Sequence, residues 1–144
     1  MKILIKNGYI VNENKIFESD ILVNGELIEK IDKKISSSDV DKVIDCKGSL
    51  ILPGIIDDQV HFREPGYPNK ATIYSESRAA VAGGITSYFE MPNTNPSTTT
   101  IESLNHKFKI ASMSSLANYS FMFGGTNQNI NEVKKLPEHE VPGI

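Results

Sequence analysis

A change of pattern at Pro53-Gly54 restricts the possible folds of this chain more than any other feature of its 144 residues. Beyond it, strand-like runs alternate with helical patterns, an order that predicts a parallel array of βα units. The predicted strands cover residues 55–62, 85–91 and 116–123, the predicted helices cover residues 71–82, 101–112 and 129–136, and Val141 would begin a fourth strand. Asn69 or Thr72 could cap the first helix, which Gly83-Gly84 would close.

The length of this array decides how it is interpreted. A closed (β/α)8 barrel needs ~250 residues, whereas residues 53–144 hold only the first three to four βα units. An open three-stranded sheet is the other solution, but it would leave the polar residues of the first strand without a cavity to face. We therefore predict an α/β fold in which residues 53–144 are the N-terminal portion of a (β/α)8 TIM-type barrel, cut short.

Short strands and tight turns are the pattern of the first 52 residues. Asn7-Gly8 and Asn24-Gly25 are turn dipeptides that accept positive φ, and apolar runs flank both of them. Extended structure resumes at Val43-Ile44 and at residues 50–52. This pattern predicts a small β-sandwich domain over residues 1–52, preceding the barrel.

Composition and charge exclude several classes of partner. The 18 acidic and 15 basic side chains give a net charge of −3 and are spread along the chain, so no basic stripe indicates nucleic acid or an anionic membrane surface. No apolar run approaches the ~20 residues that span a bilayer, and the N-terminus lacks the core of a signal peptide. Because Cys46 is the only cysteine, it forms neither an internal disulfide nor a Cys-rich metal cluster, and a cytoplasmic location is expected.

The densest chemical signal lies in residues 57–66, Asp-Asp-Gln-Val-His-Phe-Arg-Glu-Pro-Gly. Alternate residues of a strand share a face, so one face should carry Asp57, Gln59, His61 and Arg63, and the other, toward the helices, Val60 and Phe62. Polar side chains cannot be buried together without partners, so they should line a wet cavity or bind a ligand. The C-terminal end of a barrel strand is where active sites form.

His61 is the natural metal ligand of this group, because it is a neutral imidazole on a rigid strand. The other two histidines are expected to have structural roles. His106 lies on a polar helix, and His139 lies between acidic neighbours.

Several motifs together resemble one known family. Residues 53–57 (Pro-Gly-Ile-Ile-Asp) and 59–66 look like the first barrel strand of the amidohydrolase superfamily, and the Phe-Arg-Glu-Pro-Gly ending resembles the dihydroorotase family in particular. Residues 79–86 (Ala-Ala-Val-Ala-Gly-Gly-Ile-Thr) and 90–94 (Glu-Met-Pro-Asn-Thr) match the next helix and strand of that family. The likeness runs along the whole chain and corresponds to the N-terminal part of the family.

The resemblance implies a zinc site of one or two ions. The family binds zinc through a His-x-His pair on the first strand. His61 matches the second histidine of that pair, and Gln59 stands where the first should be. An amide oxygen is a weaker zinc ligand than an imidazole nitrogen, so Gln59 either coordinates through its carbonyl or leaves that position loose or empty.

The resemblance also implies a site for the substrate carboxylate, at the residues that match Arg63 and Asn93. An arginine fork gives a carboxylate two charge-assisted hydrogen bonds, and an amide adds a neutral donor. Two other roles stay open: Arg63 could form a salt bridge with Glu64 or Asp57, and Asn93 could form a turn beside Pro92. In the site that the resemblance implies, Asp57 would orient the other residues.

The implied activity is reversible hydrolysis of the ring amide of dihydroorotate to N-carbamoyl-aspartate, in pyrimidine biosynthesis, by a zinc-bound hydroxide. The carboxylated lysine, two further histidines and the catalytic aspartate of the family lie on later strands, so no catalytic residue is assigned here. The 144 residues alone are expected to be inactive. With an unpaired sheet edge, they are also expected to aggregate or to associate, as a homo-oligomer or with another partner.

Two further interpretations stay open. The first is another cyclic amidohydrolase, such as an allantoinase or a dihydropyrimidinase, although Arg63 and Asn93 together favour a carboxylated substrate. The second is a non-catalytic homologue that serves as a binding subunit, for which Gln59 is the only hint.

Overall fold

The computed structural model describes residues 1–137 and 139–144. They form two compact units, Met1–Pro53 and Gly54–Ile144. Within the described ranges, no helix has the length and apolar character needed to cross a membrane.

The N-terminal unit is built from five strands that hydrogen bonds join into one sheet. These strands are β1 (Lys2–Asn12), β2 (Lys15–Asn24), β3 (Leu27–Asp32), β4 (Lys42–Asp45) and β5 (Leu50–Ile51). β1 is central, with β2 antiparallel on one side and the short β4 and β5 parallel on the other, while β3 pairs with β2. The regular elements of this unit are all strands, and its description as a β-sandwich domain with two facing sheets stays a prediction.

The Asn24-Gly25 turn is confirmed. Gly25, at φ 61°, lies in the tight turn between β2 and β3. The sequence did not predict the turn between β1 and β2, which Glu13 and Asn14 form with φ values of 49° and 61°. Positive φ at both central residues is the geometry that a two-residue hairpin requires.

Asn7-Gly8 lies inside β1, so the hairpin predicted there was wrong. The register of β1 against β2 shifts between Ile5 and Gly8, and Asn7 takes the left-handed conformation at φ 57°. The Asn7 side chain donates to Asp45 (3.0 Å), and its N–H donates to Asp20 (3.2 Å). These bonds hold the dipeptide as a bulge within the strand, which continues instead of reversing.

The second unit is a parallel βαβαβ array, as the alternation predicts. Its sheet has the order β6 (Ile55–Val60), β7 (Ile85–Glu90) and β8 (Asn118–Phe121). Helix α1 (Ile73–Ala82) joins β6 to β7, α2 (Ile101–Ser114) joins β7 to β8, and α3 (Ile130–Val133) follows. Closure of this array into a barrel stays a prediction.

Both long helices begin at a threonine. The side chains of Thr72 and Thr100 accept the backbone N–H of Ser75 and Ser103, each at 3.1 Å. In return, the Oγ of each serine accepts the backbone N–H of its threonine, which completes a capping box. Of the two predicted caps for α1, Thr72 is therefore the one used. Gly84, at φ 89°, turns the chain out of α1 into β7.

The strand predicted at Val141 does not form. The backbone N–H of Phe123 instead donates to Gly143 O (3.0 Å), so the chain near residue 143 makes contact just beyond β8 without extending the sheet. Val141 is half-buried against the core. Its apolar character, which suggested a strand, is used in packing.

One apolar layer lies between this sheet and its helices. Buried side chains of the three strands meet those of α1 and α2, with Phe62, Ile73, Tyr88, Leu104, Ala111, Phe121 and Phe123 among them. The site residues follow the carboxyl ends of β6 and β7.

Candidate active site

The chain at the end of β6 and just beyond it separates its side chains as the alternation predicts. Val60 and Phe62 are 9% and 7% exposed and lie in the apolar core, where the Phe62 ring centroid is 4.4 Å from that of Tyr88. Gln59 and His61 are exposed. The polar side chains near the end of β6 are thus turned away from the helical layer.

His61 and Asn93 are joined by a hydrogen bond of 3.0 Å between Nδ1 and Oδ1. The two residues follow neighbouring strands, β6 and β7. Because an amide oxygen can only accept, this contact assigns the imidazole proton to Nδ1. The lone pair of Nε2 is then available to a metal or a proton, and the Asn93 NH2 group is available to a ligand.

Backbone contacts fix the two loops that carry these residues. Met91 N–H donates to Val60 O at 3.0 Å, and Asn95 N–H donates to Pro65 O at 3.1 Å. Gly66 takes φ 100°, and a Cβ at this position would lie 2.3 Å from Asn95 O. The glycine is therefore required twice, for its conformation and for the close approach of the loops.

Arg63 ends the extended segment in the left-handed conformation, at φ 68°, with its side chain half-buried. Among the residues that the structure describes, it forms no ion pair with Glu64 or Asp57. Glu64 is engaged elsewhere, because its Oε2 accepts the N–H of Ile73 (2.8 Å) at the start of α1. The salt-bridge alternative for Arg63 is therefore not what the geometry shows.

Gln59 is not brought into contact with His61 by any hydrogen bond. Its backbone N–H donates to Asp57 Oδ1 at 3.2 Å, and its side chain makes no hydrogen bond to another described residue. Asp57 is half-buried and braces the strand locally.

The donors needed for a complete metal site are not assembled by this part of the chain. Zinc takes three or four protein ligands, and residues 1–137 and 139–144 contain no group of three His, Cys, Asp or Glu side chains able to hold an ion. His61 on its own has the chemistry of one such ligand, because its second nitrogen is fixed by Asn93. His106 and His139 are both exposed.

Two cavities of the described surface lie away from these residues. One of about 450 Å³ lies at the start of α2, between Pro96, Thr100 and His106, and another of about 480 Å³ lies in the N-terminal unit beside Asn7 and Asp20. His61, Arg63 and Asn93 line neither of these two cavities.

A buried ion pair between Glu90 and Lys107 lies close to the site and was missed in the sequence. Each side chain is only 1% exposed. Burial raises the pKa of Glu90 and lowers the pKa of Lys107, while each charge opposes the shift of the other. The sequence did contain a signal for the burial of Lys107, because this residue shares one face of α2 with Leu104 and Ala111 at helical spacing.

The fold and the site define a parallel α/β unit with an imidazole and an amide at its strand ends. The sequence matches the dihydro-orotase-like family over residues 48–133. The chain belongs to that family, which confirms the resemblance seen in its motifs.

Curated relatives of the chain are dihydroorotases. The protein of Carboxydothermus hydrogenoformans is 48% identical over 98 residues, which cover 67% of this chain and 23% of that protein. The protein of Methanosarcina mazei is 42% identical over 132 residues, or 92% of this chain and 29% of the relative. The matched part of this chain therefore spans roughly a quarter of the length of these relatives.

Solved structures of similar fold include hydantoinases. The L-hydantoinase (dihydropyrimidinase) from Arthrobacter aurescens superimposes with a TM-score of 0.88 at 31% identity, covering 92% of this chain and 30% of that one. A D-hydantoinase gives 0.81 at 28% identity, covering 97% and 31%. These structures share the mixed α/β fold found here.

Proposed function

We propose that this chain is the N-terminal part of a dihydroorotase, which hydrolyses the ring amide of dihydroorotate reversibly to N-carbamoyl-aspartate. Membership of the dihydro-orotase-like family supports the reaction class. The observation that carries the proposal is the His61–Asn93 hydrogen bond, because it places a metal-ligand type and an amide donor side by side at the strand ends. On this basis the protein acts in pyrimidine biosynthesis, in the cytoplasm.

In the proposed site, Arg63 and Asn93 bind the carboxylate of the substrate. Arg63 has no ion-pair partner among the described residues, so its charge is available. The Asn93 NH2 group is likewise available, since His61 occupies only the amide oxygen. A guanidinium and an amide on adjacent strand ends suit one carboxylate.

In the same proposal, His61 would hold zinc through Nε2, and Gln59 would be a weaker second ligand through its carbonyl. Zinc would supply Lewis-acid polarisation and a water of lowered pKa. The described residues do not complete its ligand set, and we assign no step of the reaction to this chain. The role of this chain is to bind and orient the substrate and the metal.

Residues 53–144 would form the first three to four units of a (β/α)8 barrel, and residues 1–52 would form a β-sandwich domain.

A hydantoinase or dihydropyrimidinase activity is the second candidate. The similarity to the L-hydantoinase fold, at a TM-score of 0.88, favours it. This activity differs from that of a dihydroorotase in its substrate, because hydantoin carries no carboxylate for Arg63 to bind.

Turnover of dihydroorotate, hydantoin and allantoin distinguishes these functions. The assay is made on a chimera in which this chain replaces the matching segment of the Methanosarcina mazei relative, and on the 144 residues alone. We expect the chimera to convert dihydroorotate and the 144 residues alone to be inactive. Hydantoin turnover in its place would support the second candidate, and a folded chimera that binds no zinc would support a non-catalytic subunit.

Arg63→Met tests the carboxylate contact, with Arg78→Met as its matched control. Arg78 is the only other arginine, and it packs 3.6 Å from the ring of Tyr74 on α1. We expect Arg63→Met to raise KM for dihydroorotate at least 10-fold and Arg78→Met to leave it nearly unchanged. An equal KM in both variants would overturn the role of Arg63.

A further inference from the structure

The Glu90–Lys107 ion pair is buried directly beside the strand ends. Glu90 is the last residue of β7, and Lys107 lies on the inner face of α2. Burying two charges is unfavourable unless pairing and hydrogen bonds compensate, and apolar residues of similar volume often stabilise a fold as well or better. Stability alone therefore does not account for a charged pair at this position.

Lys107 holds the backbone that leads to Asn93. Its Nζ donates to Met91 O at 3.0 Å, and only Pro92, with its ring-fixed φ, separates Met91 from Asn93. The N–H of the same Met91 donates to Val60 O at 3.0 Å. The peptide groups flanking Met91 are thus fixed from α2 on one side and from β6 on the other.

Glu90 acts on the backbone that carries His61. The Phe62 N–H and the charge of Lys107 both lower the pKa of Glu90 and so favour its ionised form, which burial disfavours. Phe62 stands between His61 and Arg63, so the orientation of its peptide group affects both side chains. Within the described residues neither Glu90 oxygen accepts a well-formed hydrogen bond, and the carboxylate acts chiefly through its charge.

We propose that Glu90 and Lys107 are positioning residues that hold the ends of β6 and β7 at the spacing required by the His61–Asn93 hydrogen bond. Resting on the function proposed above, this pair sets how His61 is presented to a metal and how Asn93 is presented to a substrate. The pair contacts neither side chain. It acts through the peptide groups at Phe62 and Met91, and Glu90 also interacts with His61 through its charge.

The double variant E90M/K107M tests this role. It removes both charges and keeps two unbranched side chains of similar length, so the fold should persist. The ring nitrogens of His61 are read by ¹⁵N NMR. In the metal-free chimera, we expect the original Glu90–Lys107 pair to give the Nδ1-protonated form of His61 and the double variant to give a mixture of both tautomers. In the chimera, kcat/KM for dihydroorotate should fall by about 10- to 100-fold, the loss typical of a misplaced binding group.

Leu104→Ala is the matched control for packing. Leu104 is fully buried on the same helix, and it makes no hydrogen bond to either strand end. We expect this variant to lose stability while the tautomer of His61 stays unchanged. A tautomer change equal to that of E90M/K107M would show that the charged pair acts only through packing, and would overturn the proposal.

A second comparison tests the hydrogen bond from position 107 to Met91 O in two variants that carry no buried charge. E90Q/K107Q retains an amide donor toward Met91 O, whereas E90Q/K107M has none. We expect the first to retain more of the Nδ1-protonated form of His61. The proposal is overturned if the His61 signal is unchanged in E90M/K107M, or if it is unchanged in both E90Q/K107Q and E90Q/K107M. If no dihydroorotate turnover occurs at all, the proposed function fails, and the NMR comparison still decides the positioning role.

Discussion

His61 and Asn93 lie 32 positions apart in the sequence, and their side chains meet at 3.0 Å across the ends of two parallel strands. The bond gives each residue one defined orientation. The ring of His61 presents Nε2, and the amide of Asn93 presents its NH2 group. Neither strand could set this orientation alone, because each supplies only one partner.

The two functions of Asn93 can be separated by two substitutions. Asn93→Ala removes both the acceptor for His61 and the donor to a ligand, whereas Asn93→Asp keeps the acceptor and replaces the donor by a negative charge. We expect zinc affinity in the chimera to fall about 10- to 100-fold with alanine, as for lost partners of metal-binding histidines. Aspartate should preserve zinc affinity and raise KM for dihydroorotate, since it repels a carboxylate. Zinc competition with a chelator and steady-state kinetics measure the two effects, and equal zinc loss in both variants would count against the bond.

Local signals predicted the second unit well. The alternation of apolar runs gave three strands and three helices in the correct order, and Thr72 capped α1 as its residue type suggests. The opposite faces of Gln59-Val60-His61-Phe62 also followed from the period of a strand. Each of these properties depends on neighbours within a few residues, which a single sequence contains.

Properties that depend on distant residues were not predicted. Asn7 became a bulge because Asp20 and Asp45 reach it from other strands. The buried charge of Lys107 is tolerated because Glu90 lies opposite, 17 residues earlier in the chain. The hydrogen bond between His61 and Asn93 likewise required knowing that β6 and β7 are adjacent.

Gly66→Ala should destabilise the chain more than Gly84→Ala. Both glycines have positive φ, 100° and 89°, so each substitution is strained by about 1–2 kcal/mol. Only at Gly66 would the new Cβ also collide with backbone, 2.3 Å from Asn95 O, whereas Gly84 has open space around it. Urea unfolding of both variants measures the difference. Equal losses would show that the two loops separate at little cost.

The side chain of Asn129 is expected to hold the loop after β8 against the loop after β7. Its Nδ2 donates to Thr99 O and Gly124 O, each at 2.8 Å, and its Oδ1 accepts the N–H of Thr126 at 2.7 Å. Asn129→Ala leaves these groups unpaired and should lower the free energy of unfolding by about 1–3 kcal/mol. Asn127→Ala, two positions away and exposed, is the control and should have little effect. A similar loss from both would argue against the contact.

Glu132 should make the stability of the second unit depend on acid pH. Its hydrogen bonds from Lys135 and from the N–H of Ile101 at the start of α2 lower its pKa below the ordinary 4.5. A carboxylate with a lowered folded pKa stabilises the fold fully above its unfolded pKa, and that contribution is lost as pH falls through the folded value. Glu132→Gln should therefore unfold at lower urea than the original chain at pH 7, and the two midpoints should converge as the pH falls below about 4. Lys135→Met removes the larger cause of the shift and should reproduce part of the loss at pH 7. Midpoints that stay equally far apart from pH 7 down to pH 3 would contradict a role for the Glu132 charge.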